Sequence, residues 1–254
     1  MQPVFDSDVI DYICSINSQG SELLPDVHSD DEMYLFFTSH PDHRNTPLKS
    51  YFISGDGMLQ NLREMLNSIG RSLESTGSFL EFACGYGRFT RHLLRYLNPR
   101  RVTVSDVYRD AVDFQKATFG VDGFYSEFDP GKLEIPKKYD VIFVASLFSH
   151  LPEQTWRPWL KKLYNSLAEN GVLIFSVHGT TCMADPSQMP RSGFYYLNMS
   201  ESRSHSFEDY GTTYVTSDFV RQATLEETGT PVLLEISKGL WSYQDVYIVK
   251  EEAK

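Results

Sequence analysis

The sequence predicts a three-layer α/β fold: seven strands in a mostly parallel sheet, the last strand antiparallel, with helices on both faces. Three observations lead there. From residue 78 onward, apolar runs alternate with segments of helical period, the pattern of strands joined by crossover helices. Those runs are continuously apolar, as expected for strands buried on both faces. The last two, PVLLEIS and QDVYIVK, are joined by KGLWSY, too short for a parallel crossover.

Residues 1–77 read as a mainly helical cap. Residues 7–17 carry Ser7 and Asp8 as candidate caps and Val9, Ile10, Ile13 and Ile16 on one face. Residues 57–69 place Leu59, Leu62, Leu66 and Ile69 at helical spacing. Between them SHPDHRNTPLKS is a polar, proline-punctuated loop. The main domain, 78–254, has strands at FLEFA (79–83), RVTVS (101–105), GFYSE (123–127), YDVIFVA (139–145) and VLIFSV (172–177). After the first strand, a helix carrying Phe89, Leu93, Leu94 and Leu97 stops at Asn98-Pro99. A shorter helix runs through Ala111 and Phe114 to Gly120. A third places Trp156, Trp159, Leu160, Leu163 and Leu167 on one face, with Gly171 past its end. Residues 179–215 break this rhythm. So long a connection is usually a lid or a disordered segment, and its GFYY and DYGTTY aromatics favour an ordered lid. A helix over 217–228 precedes the final two strands.

A chain of 254 residues with 41% hydrophobic and 22% charged residues has the composition of a globular protein with a sizeable core. The net charge of −11 disfavours general nucleic-acid binding, which draws its affinity from Lys and Arg on phosphates. Cys14, Cys84 and Cys182 are widely spaced and odd in number. Without a signal peptide, they are expected as reduced thiols in a cytoplasmic protein. VIFVASLF falls far short of the ~18 apolar residues of a membrane span.

The stretch FLEFACGYGRFTRHLL (79–94) looks like a strand turning sharply into a helix over a ligand. A dinucleotide fingerprint starting at Gly85 and Gly87 would need a third glycine where Thr90 stands. No Lys-Ser or Lys-Thr follows, so a phosphate loop is absent too. The other reading is an acidic residue ending the strand, then small residues: Glu81-Phe82-Ala83-Cys84-Gly85-Tyr86-Gly87. Asp106 ends the second strand nineteen positions after Gly87, where one carboxylate can accept hydrogen bonds from both ribose hydroxyls. A helix cap is its plainer role.

This succession, with YDVIFVASLFSHL and NGVLIFSV after it, resembles the class I S-adenosylmethionine-dependent methyltransferases over residues 79–178. The departure is Ala83 where that family most often has glycine. The resemblance implies a Rossmann-like sheet whose seventh strand inserts antiparallel beside the fifth. It implies S-adenosylmethionine as cofactor, held by Glu81, Ala83, Cys84, Gly85 and Gly87 in the turn and by Asp106 and Val107 at the ribose. Asp129 in SEFDP matches the position that receives the adenine amino group, although an Asp-Pro turn explains it as well. Ser146 falls beside the methionine part. Tyr51 resembles a cofactor-closing residue of N-terminal caps, or is a core tyrosine.

Methyl transfer from a sulfonium needs in-line alignment and exclusion of water, and positioning of that kind supplies ~7–11 kcal/mol. Backbone N–H groups of the turn and the following helix are expected to receive the methionine carboxylate. A hydroxyl acceptor also needs a general base. His150 in SHLP and His178 in SVHG are the candidates, since both follow strands at the carboxyl edge; capping or packing is the plainer role for His150. His205 lies in the lid, where solvation explains it. Trp241, Tyr243 and Gln244 are expected to shape an acceptor pocket. SLFSHL, FSVHG and GLWSYQDV resemble a bacterial subgroup associated with glycan-building proteins, which implies a sugar or other small hydroxylated acceptor. The alternatives are a non-catalytic cofactor-binding interaction protein and an NAD(P)-dependent oxidoreductase. A nucleic-acid methyltransferase is opposed by SLFSHLP in place of an Asn/Asp-Pro-Pro-Tyr-like motif. No residue cluster points to a metal.

Overall fold

A computed structural model describes residues 7–17, 23–43, 45–199 and 209–252. Three helices come first, α1 (Ser7–Asn17), α2 (Glu32–Ser39) and α3 (Pro47–Ser68). Then follow β1 (Phe79–Phe82), α4 (Thr90–Leu93), β2 (Val102–Asp106), α5 (Arg109–Phe119), β3 (Asp122–Tyr125) and β4 (Tyr139–Val144). The chain continues through α6 (Glu153–Tyr164), β5 (Leu167–Val177), β6 (Phe194–Leu197), β7 (Thr212–Val215), α7 (Ser217–Thr228), β8 (Leu234–Leu240) and β9 (Gln244–Lys250). Seven strands form one sheet in the order β3-β2-β1-β4-β5-β9-β8, and β6 and β7 pair separately as an antiparallel hairpin. β1 and β5 run parallel to β4, and β3 runs parallel to β2. β9 is antiparallel to both β5 and β8. This is the predicted fold, including the reversed last strand.

Two units divide the chain, Met1–Thr76 with Cys84–Tyr125, and Gly77–Ala83 with Ser126–Lys254. In the first, Val9, Ile16, Phe37, Leu48, Tyr51 and Phe52 form the core of the helices. Asp31 caps α2 by accepting the Met33 and Tyr34 N–H groups, and Pro47 opens α3 at the position where its missing N–H costs nothing. Gly55 lets α3 press on the segment after the glycine turn. A Cβ there would lie 2.2 Å from the Arg88 carbonyl oxygen and 2.8 Å from the His92 ring. In the second unit, the inner strands carry continuous buried runs. Trp156 is fully buried, gives its indole N–H to the Phe148 carbonyl and meets Phe148 and Phe219 edge-on.

Several boundaries differ from expectation. EMYLFFTS forms α2 although its apolar residues make no helical stripe. α3 begins ten residues earlier than its leucine spacing indicates, because Gly55 and Gly57 hide a helix that Pro47 starts. The helix after the glycine turn is only four residues long, and mixed turns lead from it to Asn98, whose side chain caps a short 3-10 turn. Gly171 does not terminate α6. It lies inside β5 at a bulge, where a Cβ would stand 2.8 Å from the Ala168 and Tyr139 carbonyl oxygens. KGL belongs to β8, so the turn reduces to Trp241, Ser242 and Tyr243. His205 lies outside the described residues.

His92 is buried near Asp56, with Nδ1 3.6 Å from Oδ1, too long for a hydrogen bond. Burial holds the imidazole below its ordinary range, and Asp56 only partly opposes this. The unfolded chain therefore binds that proton more readily, so stability falls as pH drops through the imidazole range. The melting temperature should fall between about pH 7.5 and 5.5, and fall less in His92→Leu; equal decreases would exclude His92 as a cause. A second expectation contrasts two glycines of α3. Gly55→Ala should cost about 1–3 kcal/mol through its clash with backbone. Gly57→Ala, where a Cβ meets nothing within 4 Å, should stabilise by about 0.5–1 kcal/mol. Denaturant midpoints that move the same way in both variants would remove the close approach at Gly55.

Candidate active site

In the first unit the turn after β1 is built from positive-φ glycines. Gly85 (φ 52°) and Gly87 (φ 85°) adopt conformations that L side chains rarely take. A Cβ on Gly87 would also fall 2.3 Å from the Phe119 ring, whereas nothing lies within 4 Å of one on Gly85. Gly87 is thus a packing glycine, and Gly85 borders open space. Asp106 holds the turn from the end of β2: its Oδ2 accepts the Gly85 N–H at 2.8 Å and its Oδ1 accepts the Tyr108 N–H at 3.0 Å. Gln115 on α5 donates to the Gly85 carbonyl at 2.8 Å, and the Cys84 N–H reaches the Ser105 carbonyl.

Burial raises Asp106 above the usual carboxylate range, and the N–H groups of Tyr108, Gly85 and Val107 work against that rise. Each carboxylate oxygen has more than one acceptor site, so Asp106 keeps capacity for a diol. Beside it, Tyr86 stacks on His28 with ring centroids 4.6 Å apart. Its phenol is pushed up to about 12 by burial, then by Asp30, Asp110, Asp31 and Asp106. A field made by four carboxylates opposes a pyrophosphate and favours a ligand of net positive charge. An adenosine carrying a sulfonium fits this cradle on three counts: open space at Gly85, a diol acceptor in Asp106 and the sign of the field. α4 has only four residues, which leaves the N–H groups of the turn itself as the backbone expected to receive the methionine carboxylate.

Behind the turn, the Arg91 guanidinium is buried. It donates to the carbonyls of Gly87 (3.0 Å), Leu24 (3.0 Å) and Asp26 (2.8 Å). Tyr51 is fully buried beside it and gives its hydroxyl to Asp31 Oδ2 at 2.6 Å.

In the second unit, Ser146, His150, His178 and Gln244 converge at the carboxyl ends of β4 and β5. Ser146 takes a left-handed conformation (φ 61°), held by its N–H on Ser176 Oγ at 2.8 Å. Gln244 Oε1 accepts from Ser176 at 2.6 Å and Ser146 at 3.2 Å, and Gln244 Nε2 lies 3.2 Å from His178 Nε2. The His150 and His178 rings are 5.8 Å apart and near-perpendicular. β7 spans both. The Gly211 N–H binds the His150 carbonyl at 2.9 Å, the Thr213 N–H binds the Ser149 carbonyl and the Val215 N–H binds the His178 carbonyl. His150 Nδ1 faces the Gly211 carbonyl at 2.7 Å, and its ring stacks on Tyr210 with centroids 4.5 Å apart.

The remaining expected residues sit as follows. Glu81 is buried in β1, in register with Phe143, and Ala83 leaves the strand at φ 59°. Cys84 is buried. Asp129 is exposed and spends Oδ1 on the Gly131 N–H at 2.8 Å, the Asp-Pro turn of the plainer reading. Tyr243 is exposed, whereas Gln244 is buried. Sequence inspection missed Gln115, Arg91, Ser176, Tyr210 and Gly211. Only Gly211, in DYGTTY, carried a signal, and a glycine beside a tyrosine in a long connection marks no role alone.

Residues 80–173 match a family model described as a methyltransferase domain. A malonyl-[acyl-carrier protein] O-methyltransferase of Calditerrivibrio nitroreducens is 27% identical over a match covering 48% of this chain and 46% of that enzyme. The enzyme of the same name from Bacteroides helcogenes is 29% identical, covering 48% of each. The chain thus spans about half the length of the curated relatives it matches. Among solved structures, a S-adenosylmethionine-dependent methyltransferase from Clostridium acetobutylicum superposes with a TM-score of 0.55 over 78% of this chain and 92% of that one, at 14% identity. That likeness is one of fold. Residues 80–173 thus match a methyltransferase domain, and the strand order with its reversed last strand gives the chain the fold of the class I S-adenosylmethionine-dependent methyltransferases.

Proposed function

We propose that the chain transfers a methyl group from S-adenosylmethionine to the hydroxyl of a small-molecule acceptor, a sugar or another hydroxylated metabolite. The observation that carries this reading is the orientation of His150. A backbone carbonyl only accepts, so the contact with Gly211 puts a proton on Nδ1 and the lone pair of the neutral ring on Nε2, the form a general base needs. When bound, the cofactor supplies an electrophilic methyl carbon on a sulfonium. In this reading Asp106 and Val107 hold the ribose, and the second oxygen of Asp129 serves the adenine. Glu81, Ala83, Cys84, Gly85 and Gly87 shape the turn around the rest. Ser146 flanks the methionine part, and Tyr51 steadies the turn from behind through Arg91. His150 takes the hydroxyl proton and His178 orients the acceptor. The N-terminal helices act as a cap, and residues 179–215 act as a lid that brings Tyr210 and Gly211 onto His150.

The curated relatives favour a second reading, a carboxyl acceptor on an acyl-carrier protein. A carboxylate has no proton to lose, so His150 separates the two. We place the reaction in the cytoplasm because the three cysteines are free thiols. Among the described residues, no helix is long and apolar enough to cross a membrane.

Titration calorimetry with S-adenosylmethionine and S-adenosylhomocysteine should give binding in the micromolar range, and NADH should give none. Asp106→Ala should weaken the first two at least about tenfold, or about 1.4 kcal/mol; unchanged affinity would remove Asp106 from the site. For a hydroxyl acceptor found by screening, His150→Asn should lower kcat by about 10²–10⁴ and leave cofactor affinity unaltered. An unaffected rate would move the base elsewhere. Turnover only on a malonyl-type acyl-carrier substrate would establish the second reading, and cofactor binding without turnover on any acceptor would leave an interaction protein.

A further inference from the structure

We propose that Gln244 is a positioning residue that fixes His178 as a neutral imidazole protonated on Nδ1, so that the two histidines take separate roles. The orientation of its amide follows from the hydrogen-bond inventory. Ser176 Oγ already accepts the Ser146 N–H, so its own proton must go to another acceptor. Gln244 lies 2.6 Å from it, a length usual for O–H···O and short for N–H···O. The amide oxygen therefore faces the serines, and Ser146 Oγ donates to that same oxygen at 3.2 Å. This turns the NH₂ group onto His178 Nε2 at 3.2 Å. An amide nitrogen only donates, so Nε2 is an acceptor and the proton of the neutral ring resides on Nδ1.

His150 reaches the same tautomer by a different device, the Gly211 carbonyl on its Nδ1. The consequences differ. The lone pair of His150 lies on Nε2, opposite the contact that orients the ring. The lone pair of His178 is already engaged by Gln244. With its lone pair engaged, His178 is not a proton acceptor, and in the methyltransferase reading proton removal falls to His150. Gln244 also links His178 to Ser146, whose left-handed backbone is of the kind that surrounding structure must enforce. One buried amide thus holds both the bend after β4 and the tautomer of a histidine after β5. The assignment of roles rests on the methyltransferase reading; the tautomer does not.

The test is nitrogen-15 NMR of the imidazoles in the full chain, labelled at histidine, near neutral pH. His178 in the wild type should carry its proton on Nδ1. Gln244→Glu, which replaces the donor by a carboxylate acceptor, should move the proton to Nε2 or add one there. Gln244→Met should release the ring to a mixture of tautomers. Unchanged His92 and His150 signals show that the variants keep the fold. Wild-type His178 protonated on Nε2 would overturn the proposal, and this arm stands even if neither variant folds. An identical His178 pattern in wild type and both folded variants would overturn it too. Calorimetry with S-adenosylmethionine on the same samples keeps the two questions apart: the expected tautomer without cofactor binding would remove the methyltransferase reading and leave Gln244 as the fixer of the ring.

Discussion

The buried guanidinium of Arg91 is the interaction on which the glycine-turn end of the protein depends. A turn that passes through two left-handed glycines leaves carbonyls that its short helix meets only with a long bond, the Arg91 N–H on the Gly87 carbonyl at 3.3 Å. Arg91 takes the Gly87 carbonyl and, with the other end of the same planar group, the carbonyls of Leu24 and Asp26. A lysine offers a point charge and cannot span these acceptors. Tyr51, Phe52 and Phe119 place their rings about the cation at 5.2–5.3 Å, replacing part of the hydration that burial removes. The N-terminal helices are thereby joined to the glycine turn, and the Gly55 approach of α3 to Arg88 reinforces the junction from a second direction.

The end formed by the carboxyl termini of β4 and β5 is organised on another principle. No cation is buried there among the groups described; Ser146 and Ser176 meet the Gln244 amide oxygen, so that the amide has one orientation. Ser146, Ser176, Gln244 and His178 form a chain of hydrogen bonds in which each hydroxyl proton has a defined destination. The β6–β7 hairpin supplies the other constraint by laying backbone groups along residues 149–151 and 178. Such networks specify geometry because, at low local dielectric, an unpaired member is costly. The two ends thus differ in kind: carboxylates set the field around the glycine turn, and hydrogen-bonded side chains orient the groups after β4 and β5.

How legible these ends were differs from residue to residue. The place of Asp106 beside the glycine turn could be read because strand, turn and acid stand at fixed separations along the chain, and the left-handed positions of Gly85 and Gly87 follow from residue type. Asp129 was read equally as a ligand and as an Asp-Pro turn, and its hydrogen bond to Gly131 shows the turn. His150 and His178 could be listed from their places after the strands, but nothing local separates a base from a donor. That distinction comes from Gly211, sixty-one positions from His150, and Gln244, sixty-six from His178.

Taken alone, the sequence determined the fold class, the order of the main strands, the reversed last strand and the turn that marks the family. Each of these is governed by contacts close in sequence: hydrophobic period, connection length, and the φ that glycine permits. Only the tertiary structure decided which partner each polar group takes. It spent Asp140 on the Gly77 and Ser78 N–H groups, made Gly171 a bulge, hid Tyr51 behind Arg91 and set the two histidines against different hydrogen-bond partners. A buried polar group must find a partner wherever the fold brings one, and that partner's position is settled by packing across the molecule, which no local pattern encodes.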